Sequence, residues 1–150
     1  MIVADLAIRP AVTTLPDTRI DHVAALMTKA GVGSVIVVDH DRLVGIVTDR
    51  DLVVRVLALG LPGDARIDSV MSMNVVAVDA HADIRDAITS FGHHAVRRMP
   101  VVSGDQVVGL VSLDDLIVSL STAFADVARG VNAQMLFPHA SDPAAVPATA

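Results

Sequence analysis

The chain has 150 residues, a formal net charge of −6 and a hydrophobic fraction of 53%. It contains no Cys, Trp or Tyr and only three Phe, so disulfides and thiolate chemistry are excluded and we expect a core built from Val, Ile, Leu, Ala and Met. General binding to nucleic acid is disfavoured, because it requires Lys and Arg to neutralise phosphates. We expect neither a membrane span nor a signal peptide, and we expect a cytoplasmic protein.

The first half of the chain predicts a strand, a helix, a hairpin and a second helix. In order, these are a strand at residues 12–15, a helix from residue 18 to about 30, hairpin strands at 34–38 and 43–47, and a helix at 48–59. Thr18 is predicted to begin the first helix, with Asp21 three residues on in a near capping box. Gly and Pro residues at 60–63 end the second helix.

The second half of the chain repeats this order. Gly109 stands 64 residues after Gly45, and similar residues recur at the same offset over most of the chain without a gap. The repeated elements are a strand at residues 75–78, a helix at 82–93, hairpin strands at 99–102 and 107–111, and a helix from 112 to about 124 that continues to about 130. Each unit is therefore β-α-β-β-α, with residues 60–74 as the link.

These elements predict a mixed α/β (α+β) fold of two tandem units with pseudo-two-fold symmetry, in which small sheets pack against helix pairs. We expect the units to span residues 2–62 and 63–126, followed by a C-terminal extension at 127–150. Beyond about residue 138 the Ala, Pro, Ser and Thr residues cannot bury enough apolar surface, so we expect disorder there.

Two hydroxyl–carboxylate pairs have the S/T-x-x-D spacing of a helix N-cap: Thr48 with Asp51, and Ser112 with Asp115. Each pair predicts a capped helix start. A helix N-terminus also offers free N–H groups and positive potential to an anion such as phosphate. A carboxylate there can accept both hydroxyls of a ribose. The structural and ligand-binding roles are compatible, and the spacing does not choose between them.

Both hairpins end in related motifs. These are Gly-Ile-Val-Thr-Asp-Arg-Asp at residues 45–51 and Gly-Leu-Val-Ser-Leu-Asp-Asp at residues 109–115. Together with the tandem β-α-β-β-α order, they closely resemble the CBS-domain family, in which two tandem domains form a Bateman module. The run Val-Arg-Arg-Met-Pro-Val-Val at residues 96–102 also looks like the family's entry into a strand. The resemblance covers roughly residues 2–124.

The resemblance implies two symmetry-related clefts between the repeats that hold adenosine-containing ligands such as AMP, ADP, ATP or S-adenosylmethionine. It implies that Asp51 and Asp115 bind the ribose. It places Thr48 and Ser112 beside the ribose or the first phosphate. The backbone that frames the adenine would be that of Ala11, Val12, Val75 and Val76.

The two clefts are expected to differ in charge. Arg50 occupies the family's phosphate-facing position, but its counterpart in the second copy is Asp114. Arg97 and Arg98 align with basic residues that reach phosphates, whereas the first copy has Gly and Ser there. One cleft could take a phosphorylated nucleotide while the other takes a neutral or cationic adenosine derivative or stays empty. Alternatively, the adjacent arginines are solvated or form an intersubunit salt bridge.

No catalytic or metal site is predicted. A catalyst needs a nucleophile or an acid–base pair with an orienting partner, and no such pattern is recognisable. His93 and His94 are adjacent on a helix and point in different directions, without an obvious third ligand. We assign no metal, no required cofactor and no enzymatic activity.

The sequence thus predicts a stand-alone regulatory module that senses an adenosine-containing ligand and signals to an unidentified partner protein by a conformational shift. Apolar helix faces and the resemblance predict a homodimer. One alternative is a ligand-free module for protein interaction or dimerisation. A weaker alternative is a nucleic-acid-binding protein that uses Arg97 and Arg98, against which the acidic composition and the lack of Trp and Tyr count.

Overall fold

The computed structural model describes residues 1–136. The helices are α1 (Ile20–Ala30), α2 (Asp49–Asp51), α3 (Ile84–His94) and α4 (Leu113–Leu136), and α2 continues as a π-helix over Leu52–Leu57. The strands are β1 (Thr13–Thr14), β2 (Ser34–Asp39), β3 (Arg42–Thr48), β4 (Val78–Asp79), β5 (Arg98–Ser103) and β6 (Gln106–Ser112). Short 3-10 helices lie at Val3–Asp5 and Ile67–Ser69. The predicted mixed α/β fold with a repeated element order is confirmed.

The six strands form one sheet in the order β1-β2-β3-β6-β5-β4. In each repeat the two hairpin strands pair antiparallel. The short first strand of the repeat pairs parallel with the first hairpin strand, β1 with β2 and β4 with β5, and a helix connects the two. The hairpins have the same register, with a bulge at Val37/Val38 in one and at Val101/Val102 in the other. The two halves join where Arg42 pairs with Gln106.

The segment that leads into each repeat pairs with the hairpin of the other repeat. Ile8 exchanges two backbone hydrogen bonds with Leu110, of 2.8 and 3.2 Å. Ser72 exchanges two with Ile46, of 2.9 and 3.0 Å. Because 46 and 110, like 8 and 72, are equivalent positions, the exchange follows the pseudo-two-fold symmetry. The lead-in segments therefore tie the repeats together.

The glycine that opens each motif makes this exchange possible. A Cβ on Gly109 would lie 3.0 Å from the carbonyl oxygen of Ile8 and 3.0 Å from the Cβ of Ala7. A Cβ on Gly45 would collide with the Sδ of Met71 and lie 3.1 Å from the carbonyl oxygen of Ser72. Only a residue without a side chain lets the lead-in backbone approach the hairpin this closely.

The core of the first repeat lies between one sheet face and its helices. α1 contributes Ile20, Val23 and Met27, which share one helix face. The remaining buried members come from β2, β3, the π-helix and the link between the repeats: Val35, Val37, Val47, Val56, Ile67 and Val70. The alternate β2 residues Ser34 and Ile36 are also buried but point to the opposite face. Both faces of β2 are therefore covered.

The start of α1 differs from the prediction. The N-cap is Arg19, whose side chain makes no cap hydrogen bond. The prediction of a capping box at Thr18 is therefore wrong. Arg19 instead donates hydrogen bonds of 3.0 and 2.6 Å to the carboxylate of Asp21. This bonding lowers the pKa of the Asp21 carboxyl group. The hydroxyl of Thr18 accepts from Thr14, which removes it from the helix.

Other boundaries also shift. The strand predicted at 12–15 shortens to β1, and the strand predicted at 75–78 shifts to β4, which begins at Val78. Val12 and Val75 therefore lie before the strands instead of inside them. The last helix extends to Leu136, beyond the predicted end near 124 or 130, since Gly130 is the only strong helix breaker between residues 125 and 136. The predicted disorder beyond 138 lies outside the described residues. Within the described residues, 1–113 form one compact unit and 114–136 belong to a second.

We predict that Gly109→Ala destabilises the protein by about 1–3 kcal/mol, because the new methyl group would push the backbone of Ile8 away from Leu110. Urea unfolding would measure the free energy of unfolding. Gly92→Ala is the control: Gly92 is exposed in α3 with nothing within 4 Å of an added Cβ, so a gain of about 0.5–1 kcal/mol is expected. Equal effects of the two substitutions would contradict the account of Gly109.

Candidate functional site

A capping box forms at the start of α2. The backbone N–H of Asp51 donates to Oγ1 of Thr48 at 3.2 Å, and the N–H of Thr48 donates to Oδ2 of Asp51 at 2.8 Å. The extended backbone of Thr48, the last residue of β3, sets this geometry. The Asp51 side chain is only 17% exposed. The capping prediction is confirmed for this motif, while the other carboxylate oxygen of Asp51 can still accept further hydrogen bonds.

Four of the predicted ligand-binding residues meet beside this helix start. Thr48, Arg50, Arg97 and Arg98 line one open cavity of about 280 Å³, which we call the arginine cleft. Its other lining residues are Ile46, Asp49 and Val96. Three cationic side chains and one carboxylate give the cleft a net positive charge, which suits an anion. Two of its arginines come from the second repeat and one from the first.

A smaller apolar cavity of about 60 Å³ is lined by two of the four residues predicted to frame adenine. Ala11 and Val12 line it, and the carbonyl oxygen of Val12 accepts a hydrogen bond of 3.0 Å from the N–H of Ile36. The remaining walls are formed by Ile8, Pro10, Val32, Ser34, Ile36 and Leu110. We call this space the apolar cavity.

The apolar cavity and the arginine cleft lie side by side across the β2–β3 pair. Ser34 and Ile36 line the apolar cavity, and their register partners Thr48 and Ile46 line the arginine cleft. Paired residues of an antiparallel ladder have Cα atoms about 5 Å apart. A ligand with an apolar ring at one end and an anionic group at the other could therefore span both spaces.

Asp49 lines the arginine cleft but was not among the predicted site residues. Its backbone N–H donates to the carbonyl oxygen of Gly33 at 3.0 Å. A Cβ on Gly33 would lie 3.0 Å from Oδ2 of Asp49 and 3.5 Å from Nη2 of Arg98. Gly33 thus leaves room for both charged side chains. The motif itself contains Asp49, so its position beside Arg50 was the available signal.

Arg55 is a second residue that the sequence did not indicate. Its Nη1 donates to the carbonyl oxygen of Val70 at 2.8 Å and to Oγ of Ser72 at 3.3 Å. Its Nε lies 3.6 Å from Oδ1 of Asp51, one helical turn earlier. Arg55 therefore contacts both the capping carboxylate and the link between the repeats.

The second motif has the same backbone arrangement at the end of its hairpin. Ser112 pairs with Arg98 as Thr48 pairs with Ser34. The N–H of Leu113 donates to the carbonyl oxygen of Arg97 at 2.9 Å, which is the counterpart of the Asp49–Gly33 bond. Asp115 lies in the first turn of α4. Val75 and Val76 are partly buried and precede β4. The proposed ligand contacts of these residues remain predictions.

The histidine pair at the end of α3 shows no metal-binding geometry. Nδ1 of His94 lies 3.0 Å from the carbonyl oxygen of Ser90. Within residues 1–136, no three His, Asp or Glu side chains are close enough together to hold a metal ion. Across the same residues, no helix is both long and apolar enough to cross a membrane.

Comparison with known proteins identifies the class. The CBS-domain family model matches residues 3–58 and 67–122, so the chain belongs to the CBS-domain family. A relative from Bacillus subtilis, the CBS domain-containing protein YhcV, is 34% identical over 117 residues, which cover 78% of this chain and 84% of YhcV. The pair of CBS domains is a regulatory module.

Solved structures agree on the fold. The crystal structure of Hypoxic Response Protein I with two coordinated zinc ions is similar with a TM-score of 0.72 and 29% identity, covering 78% of this chain and 97% of that one. A CBS-domain protein from Pyrobaculum aerophilum complexed with AMP also has a TM-score of 0.72, with 23% identity, covering 81% of this chain and 99% of that one. At that identity the second likeness shows the fold alone.

We predict that Thr48→Ala lowers the free energy of unfolding by about 1 kcal/mol, because the N–H of Asp51 loses its acceptor. Thr48→Ser should restore most of it, since the hydroxyl is retained. Thr28→Ala is the control: that exposed hydroxyl donates only to a carbonyl of its own helix. Urea unfolding of the three variants would test the cap, and equal losses for Thr48→Ala and Thr28→Ala would contradict it.

Proposed function

We propose that this cytoplasmic protein senses a phosphorylated adenosine ligand such as AMP, ADP or ATP and signals its occupancy to a partner protein. The observation that carries the proposal is the convergence of Thr48, Arg50, Arg97 and Arg98 on one cleft that adjoins the apolar cavity. Arg fits phosphate oxygens through its planar fork of donors. The phosphate would therefore lie among the arginines, with the ribose near Thr48 and Asp51.

The adenine would enter the apolar cavity between Ala11, Val12 and Ile36. About 60 Å³ holds roughly two water molecules, so the ring must widen the cavity. Its walls include Leu110 of the second repeat and Ile8 of the lead-in segment. Widening would shift Leu110 of the second repeat, together with the paired Ile8, against β2 of the first repeat. Binding would thereby favour one arrangement of the repeats, to the extent that the ligand binds that arrangement more tightly.

The second site would have a different preference. Ser112, Asp115, Val75 and Val76 are the counterparts that would bind the ribose and frame the adenine there. Asp114 stands in the place of Arg50, so the basic group that would face a phosphate is replaced by an acidic one. We expect this site to take a neutral or cationic adenosine derivative such as S-adenosylmethionine, or to remain empty. No cofactor is required.

The Pyrobaculum protein, which shares the fold, is complexed with AMP. The fold is therefore compatible with an adenine nucleotide. The support specific to this chain comes from its own charges, since an arginine-lined cleft beside an apolar cavity fits a phosphorylated nucleoside better than it fits a neutral one. No reaction is proposed, because the same residues account for binding without a nucleophile or an acid–base pair.

Binding by AMP, ATP, adenosine, S-adenosylmethionine and NAD should be compared by thermal unfolding and then by calorimetry. A ligand supplied at about 100 times its Kd stabilises the protein by about 2.7 kcal/mol, and we expect AMP or ATP to do so. Asp51→Ala with Asp115→Ala should remove the shift. The absence of any shift in protein free of co-purified nucleotide would overturn the proposal in favour of a ligand-free interaction module.

Comparing the binding of AMP with that of adenosine tests whether the arginines contact the phosphate. Arg98→Met should weaken AMP binding by roughly tenfold or more, as expected for loss of a hydrogen bond to a charged group, and should leave adenosine binding unchanged. Arg85→Met is the matched control, because its side chain is 90% exposed on α3, away from both cavities. Equal losses of AMP and adenosine affinity in Arg98→Met would mean that Arg98 does not contact the phosphate.

We also propose that two copies form a homodimer through the apolar surface of the π-helix. Val53, Val54 and Leu57 are 56%, 48% and 75% exposed there, which is unusual for a contiguous apolar turn of a monomer. Leu57→Glu should shift the protein from dimer to monomer in light scattering after size exclusion. The exposed Ile88→Glu substitution on α3 is the control. A wild-type monomer at micromolar concentration would refute the dimer.

A further inference from the structure

Arg55 contacts both the proposed ribose-binding carboxylate of Asp51 and the link between the repeats. We propose that Arg55 is a positioning residue that couples occupancy of the first site to the link, and through it to the lead-in segment of the second repeat. This inference rests on the proposed binding of an adenosine ligand at Asp51.

The guanidinium lies at the junction of three segments. It reaches Asp51 of α2 at 3.6 Å, the carbonyl oxygen of Val70 at 2.8 Å and Oγ of Ser72 at 3.3 Å. Ser72 exchanges its backbone hydrogen bonds with Ile46, which lines the arginine cleft. Three residues after Ser72 the chain reaches Val75, where the proposed adenine frame of the second site begins. The contacts therefore form a short, continuous route from one site towards the other.

The geometry identifies which part of this route responds to ligand. The separation of 3.6 Å between Nε of Arg55 and Oδ1 of Asp51 is too long for a good hydrogen bond. The Asp51 carboxylate is thus held firmly only by Thr48. Ribose hydroxyls that donate to it would fix its orientation. A fixed carboxylate would hold Arg55 more firmly, and Arg55 would in turn hold Val70 and Ser72.

Arginine suits this role because the N–H groups of its planar guanidinium point in several directions and can reach separate acceptors at once. The ammonium group of Lys is a single compact charge and cannot span the same acceptors. The counterpart of Arg55 in the second repeat is Ser119, which is too short and lacks the charge. The coupling therefore starts from the first site only. Thermodynamic linkage requires it to act in both directions, so loosening the link must also weaken ligand binding.

Hydrogen–deuterium exchange of the full chain, with and without saturating AMP, would test the coupling. In the wild type we expect AMP to slow exchange of the amides of Ser72 and Ile46. In Arg55→Met we expect AMP to bind roughly tenfold more weakly, within the usual range of coupling between sites. At saturation the variant should show no slowing at Ser72, although amides near Thr48 are still protected. Arg85→Met should behave as the wild type.

The outcomes separate this inference from the proposed function. Failure of the wild type to bind AMP would refute the proposed function first. AMP binding with unchanged exchange at Ser72, or equal slowing in wild type and Arg55→Met, would overturn the role of Arg55 while leaving the binding site intact. Ser72→Ala provides a second test that keeps the arginine and removes one of its contacts. It should reduce the slowing at residue 72, and full retention in both variants would again overturn the inference.

Discussion

The reciprocal pairing of the lead-in segments is the constraint on which the rest of the structure depends. Ile8 completes the hairpin of the second repeat, and Ser72 completes the hairpin of the first. Each hairpin would otherwise present unpaired backbone groups in a half-buried position, which is costly. The repeats therefore cannot be regarded as two independent domains. The same pairing brings Ile8 and Leu110 to the apolar cavity, so this cavity has walls from both repeats.

Much of this architecture follows from the sequence, and the part that does not has a clear physical cause. The constant offset predicted two equivalent units, and β-branched runs on either side of a polar turn predicted both hairpins. The exchange was not predictable, because a lead-in that pairs with its own hairpin would give the same offset and the same apolar pattern. Gly45 and Gly109 were visible as repeated residues, but the backbone that they admit is distant in the chain.

In the candidate site, too, some contacts were predictable from the sequence and others were not. The capping box of Thr48 and Asp51 depends on residues three apart, and sequence spacing predicts such local bonds. Thr18 has similar spacing to Asp21 but bonds elsewhere, because Arg19 takes the carboxylate and Thr14 the hydroxyl. Arg55 was missed because a long, flexible side chain can reach in many directions. Its partners on the link are 15 and 17 residues away.

The two repeats have equivalent backbones but carry different charges at equivalent positions, and this difference bears on function. Equivalent backbone hydrogen bonds at Asp49 and Leu113 show that both motifs are built on the same frame. Frame and packing therefore cannot explain why Arg50 faces a cleft in one repeat while Asp114 replaces it in the other. Charged side chains on a shared frame differ at little cost to folding, since exposed charges contribute little to stability. Under the proposed function, this difference in charge would change which ligand each position attracts.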